Sequence, residues 1–150
     1  MGKDAARFFF VARKASSHLD FDIELAKKQS QENPVYYVQY AHARCSNIIE
    51  FAKKSELHKG FFRADAKKAS LLKILKPDLK LLEQPQELEL MKALSQFPDA
   101  IMSSAVSFEP CAIVTYLQGL ADAFHSFYDK HRVVVEDMEL TKARLGQFHI

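Results

Sequence analysis

The sequence predicts an all-α helical bundle, and three observations carry that prediction. Prolines fall repeatedly where helices would begin, at Pro34, Pro85, Pro98 and Pro110, a place where the missing N–H costs nothing. Apolar residues recur three and four apart through most of the chain, the spacing that puts them on one helical face. Glycine is scarce, at 4 residues in 150, and the one β-branched run, Val133 to Val135, is too isolated to make a sheet.

Taken in order, Lys3 to Lys14 has few breakers and reads as one amphipathic helix. Its Phe8, Phe9 and Phe10 cannot all face a single core, so this segment needs neighbours on more than one side. Ser16 to Asp22 has the polar residues of a loop, with Asp20 or Asp22 capping a helix from Ile23 to about Gln29. His18, Asp20 and Asp22 have loop spacing and lack a fourth ligand, so no metal site is expected there.

Asn33 before Pro34 is a strong helix start, and the long helix that follows is expected to run to about Ser55. Tyr37, Ala41, Cys45, Ile48 and Ala52 share its core face, with Phe51 beside them. Tyr36, Tyr40 and Asn47 form a second strip. Tyrosines at such a margin either pack with a wet hydroxyl or offer a ring for stacking.

Gly60 and the Pro77-Asp78 step mark turns around a short helix, about Ala64 to Leu75. Pro85 opens a helix in which Leu88, Met91 and Leu94 recur three apart, with Leu90 beside them. Pro98 begins another through Val106. The helix from Pro110 to about Lys130 has the clearest period: Ile113, Leu117, Leu120, Phe124 and Phe127 make a stripe, with Tyr116 at its edge. Gly119 within it suggests a closely packed neighbouring backbone. His125 and His131, without ligand-spaced partners, read as polar-face residues. Asp137 caps a last helix through Leu145.

Composition narrows the function. Hydrophobic residues are 48% and charged residues 27%, which describes a globular chain of one ordinary domain, or one domain with the tail of another. A net charge of +2 excludes a globally basic nucleic-acid binder, so RNA contacts would come from local patches. Residues 53 to 80 hold nine basic side chains against three acidic ones. Lys53, Lys54, Lys67 and Lys68 there are candidate phosphate contacts, unless the segment is simply a solvated face. Cys45 and Cys111 have no CxxC partner and read as small buried residues of a reducing cytosol. No run reaches the ~18 apolar residues of a membrane helix and no secretory leader opens the chain, so a cytoplasmic location is expected.

A specific resemblance adds to this reading. Tyr37, Gln39, Tyr40, Ala41, His42 and Arg44 match, residue for residue, the opening helix of the anticodon-binding domain in the arginyl-tRNA synthetase family. Asp4-Ala5-Ala6-Arg7-Phe8-Phe9 and Ser17-His18-Leu19-Asp20-Phe21-Asp22 resemble the end of that family's catalytic region. Thr115-Tyr116-Leu117, Glu136-Asp137 and Ala143-Arg144-Leu145 resemble its later helices.

The resemblance implies a C-terminal fragment of a class I synthetase. Residues 1 to 31 would be the tail of the catalytic domain and a linker, and residues 32 to 150 a helical anticodon-binding domain, truncated at its C-terminus. Gly146-Gln147-Phe148-His149-Ile150 stands where the family has more apolar helix and an anticodon-approaching tail, a departure that weakens the expected closure of the bundle. The implied partners are tRNA for arginine and the catalytic domain of the same chain. ATP with magnesium would serve the parent enzyme, with no cofactor on the fragment. The family's two ATP signatures, a histidine pair and a lysine loop, are absent, as are a glycine-rich phosphate loop and a nucleophile elbow, so the fragment alone is expected to be inactive. Tyr40 and Tyr116 would stack splayed anticodon bases, Gln39 would read by hydrogen bonding, and Arg44 would either pair with a phosphate or brace the bundle. The competing expectation is a helical protein-docking or scaffold domain without RNA binding, with Phe8 to Phe10 as its surface.

Overall fold

Local capping chemistry sets where the helices start. The computed structural model describes residues 2–18, 21–55 and 77–149, and its regular elements are all helical. They are α1 (Lys3–Val11), α2 (Ile23–Lys27), α3 (Pro34–Lys54), a 3-10 turn (Leu79–Leu81), α4 (Pro85–Ser95), α5 (Phe97–Ser107), α6 (Cys111–Lys130), α7 (Met138–Gly146) and a closing 3-10 turn (Gln147–His149). Asp22 accepts from the Leu25 N–H at 2.9 Å, Asn33 from Val35 at 3.1 Å, and Asp137 from Glu139 at 2.9 Å, each satisfying an N–H that the first helical turn leaves unpaired. Asn33 also donates its amide to the Ala26 and Lys28 carbonyls at 3.2 and 2.8 Å, which fastens the end of α2 to the start of α3.

Helix α6 lies at the centre, packed against α3, α4 and α5. Ala41, Ile48 and Ala52 of α3 meet Phe124 and Phe127 of α6 in one apolar cluster with Leu90 and Leu145. The core stripe expected on α3 is therefore present, with one correction: Phe51 is 62% exposed, turned from the core into a surface groove.

On α4 the expected stripe is rotated. Leu88 is 51% exposed, whereas Glu87 is 1% exposed beside buried Leu90. The reason lies in tertiary structure, because the Glu87 carboxylate meets Arg144 of α7 at 2.7 Å. A carboxylate with a hydrogen-bonded counter-ion can occupy a core position that pattern alone assigns to leucine.

His125, expected on the polar face, is buried for a similar reason: α3 lays Tyr37 and Tyr40 across it. Phe9 and Phe10 of α1 both pack on Phe21, with ring centroids 5.5 and 6.0 Å apart, so part of the aromatic run finds its neighbours within the chain. Phe10 nevertheless stays 63% exposed. Gln147 and Phe148 of the final stretch join the core. Gln147 is buried and donates to the Glu87 carbonyl at 3.1 Å, and Phe148 packs on Phe124 and Phe127. The turn at Gly60, the helix expected from Ala64 to Leu75, Asp20 as a cap, and Lys67 and Lys68 lie outside the described residues.

Among the described residues, the two glycines in helices have opposite surroundings. A Cβ at Gly119 would meet nothing within 4 Å, which corrects the expectation of a close neighbouring backbone, whereas a Cβ at Gly146 would come 2.8 Å from the Pro77 ring. Gly119→Ala is accordingly expected to raise stability by roughly 0.5–1 kcal/mol through helix propensity. Gly146→Ala is expected to lower it by about 1–3 kcal/mol by forcing Pro77 away. Urea unfolding of the two variants should move the midpoint in opposite directions, and equal shifts would contradict this reading.

Candidate nucleic-acid interface

Four residues per near-turn bring Tyr36, Tyr40 and Arg44 into one row on α3. Tyr36 and Tyr40 lie nearly parallel, with centroids 6.0 Å apart and an interplanar angle of 8°. Behind Tyr40 is the His125 ring at 5.6 Å, itself covered by Tyr37 at 4.6 Å. The Arg44 guanidinium sits 4.5 Å from the Tyr40 ring centre and 4.4 Å from that of Tyr128, and it donates to the Tyr40 hydroxyl at 2.6 Å. An exposed Asp129 carboxylate approaches it at 3.8 Å.

Tyr40 and Arg44 of this row form one wall of a groove of about 810 Å³. Asn47 and Phe51 continue the wall along α3, while Tyr128, Lys130 and Arg132 form the opposite side. Three fixed cationic groups, Arg44, Lys130 and Arg132, face one carboxylate, Asp129, so the groove is basic although the whole chain is nearly neutral. Aromatic rings interleaved with basic side chains suit an unstacked, single-stranded nucleic acid, which needs ring faces for its bases and cations for its phosphates.

Burial beside the two tyrosines pushes the His125 imidazole below its usual 6.5, assisted by the Arg44 charge and opposed by a hydrogen bond to the Tyr37 backbone and by Asp129 and Asp122. Its Nε2 has no hydrogen-bond partner. The fold therefore favours the neutral ring. For a value depressed in the folded state, stability present above pH 6.5 is lost as pH falls below it toward the folded value, because the unfolded chain then binds the extra proton. His125→Phe should remove this component: unfolding midpoints measured between pH 7.5 and 5 are expected to fall less in the variant than in the native chain. Tyr37 is pushed up to about 12, chiefly by burial and then by its hydrogen bond to Asp122, and so stays protonated.

The sequence-predicted residues do not form one cluster. Arg44 and Tyr40 meet, but Tyr116 packs on Phe97 at 5.7 Å, away from Tyr40. Tyr116 and His125 are nine residues apart on α6, which is about half a turn around the helix and ~13 Å along it. Because Tyr40 packs on His125, α6 itself separates the two tyrosines. Gln39 lines a different hollow of about 340 Å³ with Tyr36 and Lys28. Lys53 is bonded to Glu50 at 2.7 Å, and Lys54 is exposed at the end of α3. Arg44 packs against both tyrosine rings and also lines the groove. Tyr128 and the His125 support were missed in the sequence. Their three-residue spacing on α6 signals a shared face, but which helix covers that face is a tertiary fact.

The chain is also similar to known proteins. An arginine-tRNA ligase from Geobacter metallireducens is 52% identical over 147 residues, and one from Citrifermentans bemidjiense is 49% identical over 150. These matches cover 97% and 99% of this chain but 24% and 25% of the relatives, so the chain spans about a quarter of the length of the curated relatives it matches. A crystal structure described as an arginyl-tRNA synthetase from Campylobacter jejuni superposes with a TM-score of 0.74 at 30% identity, covering 99% of this chain and 29% of that one. Residues 38–150 match the DALR anticodon binding domain, and the chain belongs to that family.

Proposed function

We propose that this chain is the anticodon-recognition domain of an arginine-tRNA ligase, and that the α3–α6 groove receives the anticodon loop of tRNA for arginine. The observation that carries the reading is Arg44, held between two tyrosine rings at the edge of a basic groove in a chain of the anticodon-binding family. Ligation of arginine, and the ATP and magnesium it uses, belong to the rest of the parent protein. In that protein residues 1 to 31 form the tail of the catalytic domain and the joint to this one, and a cytoplasmic location follows from the role. Within the domain, Arg44 and Tyr40 serve recognition in the groove, whereas Gln39 and Tyr116 lie outside it. Lys53, Lys54, Lys67 and Lys68 add sequence-independent attraction to phosphate.

The test is binding of labelled tRNA for arginine, beside a copy with an altered central anticodon base, at two salt concentrations. Discrimination between the RNAs, with affinity that falls as salt rises, is the expected result. Arg44→Ala should weaken binding roughly ten- to a hundredfold, the range of one lost hydrogen bond to a charged group. Absence of RNA binding together with salt-insensitive self-association would favour a protein-docking domain. The exposed Phe10 and the outward apolar residues Met102, Val106 and Phe108 near α5 are the observations behind that second reading.

A further inference from the structure

We propose that the RNA-contacting pair in this groove is Arg44 with Tyr128, and that Tyr40 acts behind them as a positioning residue. The inference rests on the anticodon-recognition reading and specifies how the groove would carry it out.

The two tyrosines differ in what remains free. Tyr40 is engaged on several sides: Tyr36 lies parallel at 6.0 Å, His125 lies at 5.6 Å, and the Arg44 guanidinium sits 4.5 Å from its ring centre. Its hydroxyl already accepts the Arg44 N–H at 2.6 Å. A base stacking on Tyr40 would have to displace one of these groups. Tyr128 has Arg44 at 4.4 Å and, on its own helix, Phe124 tilted at 31° with centroids 5.9 Å apart. It is 37% exposed and lines the groove, so it retains ring surface that an unstacked base can cover.

Arg44 gains from the same arrangement. Its guanidinium is held by two ring faces and one hydroxyl, which restricts its rotamers before any ligand arrives. The exposed Asp129 contact at 3.8 Å is a weak solvent-facing pair that a phosphate can replace. A nucleotide with its base on Tyr128, its phosphate between Arg44 and Arg132, and its base edge toward the Asn47 amide would use each lining group for the chemistry it offers.

The experiment compares the native chain with Tyr128→Phe, Tyr128→Leu and Tyr40→Phe, using labelled tRNA for arginine and its anticodon-altered copy. Tyr128→Phe keeps the ring and should bind within about twofold of native. Tyr128→Leu should lose on the order of tenfold in affinity together with discrimination between the RNAs, the scale of one lost base stack. Tyr40→Phe removes only the hydroxyl and should lower affinity by a few-fold while keeping discrimination. Tyr128→Leu that binds and discriminates like the native chain would overturn the proposal. The clamp is also read without RNA, through the Arg44 guanidinium signal in NMR: faster side-chain motion in Tyr128→Leu supports it, and an unchanged signal overturns it. Failure of the native chain to bind either RNA would instead count against the anticodon reading.

Discussion

Glu87→Ala is expected to destabilise the chain by about 3–5 kcal/mol, the cost of leaving one member of a buried ion pair without its partner. Glu87 and Arg144 are 1% and 7% exposed, and the carboxylate is shared among several elements. One oxygen receives the Arg144 Nε–H at 2.7 Å and the other receives the Gln84 backbone N–H at 3.0 Å, capping the start of α4. Arg144 also donates to the Arg132 carbonyl at 2.6 Å, and Gln147 to the Glu87 carbonyl at 3.1 Å. The network ties α4, α7, the 131–137 connection and the closing turn together. In the alanine variant a guanidinium would stay in the core with only that carbonyl for a partner. Glu87→Leu combined with Arg144→Met should recover most of the loss, because a well-packed apolar pair avoids the desolvation penalty of both charges. Urea unfolding of the single and double variants checks both statements. A single-variant cost below about 1 kcal/mol would mean that water reaches the site readily.

Phe127→Ala is expected to cost about 3–5 kcal/mol, the range for truncating a buried aromatic side chain. Phe127 is 0% exposed, at the point where α6 meets the closing turn. Its ring lies 6.3 Å from Phe148 and 5.6 Å from His131, and His131 in turn meets the Gln86 side chain at 3.1 Å. Truncation would open a cavity on which Ile48, Leu90 and Leu145 of the same cluster can only partly close. Phe148→Ala, at a half-buried position on the rim, should cost clearly less. The comparison is made at constant denaturant slope, so that a change in midpoint reports stability alone. Equal losses would place the centre of the core nearer the C-terminal turn.

Much of the helical framework was legible because capping is local. Asn33 with Pro34, Asp22 and Asp137 satisfy backbone groups two or three residues away, and the helices begin where those residues stand. The apolar period placed Ile48, Ala52, Phe124 and Phe127 inside for the same reason. The errors share one physical origin. Glu87 was passed over, and His125 and Phe51 were misplaced, because their environments come from residues 57, 85 and 77 positions away, respectively Arg144, Tyr40 and Tyr128, and no local pattern encodes those meetings.

The candidate site divides along the same line. The row Tyr36, Tyr40, Arg44 follows from helical spacing, and Tyr40 and Arg44 fall within the residues that match the family. The sequence by itself therefore determined most of the described helices, the caps at Asp22, Asn33 and Asp137, most of the core and the family. Only the tertiary structure decided that Tyr116 lies across α6 from Tyr40, that Tyr128 closes on Arg44, and that Glu87 and Arg144 are buried together. Capping and periodicity act over a few residues of one helix, whereas stacking, ion pairing and groove formation depend on which helices the whole chain brings side by side.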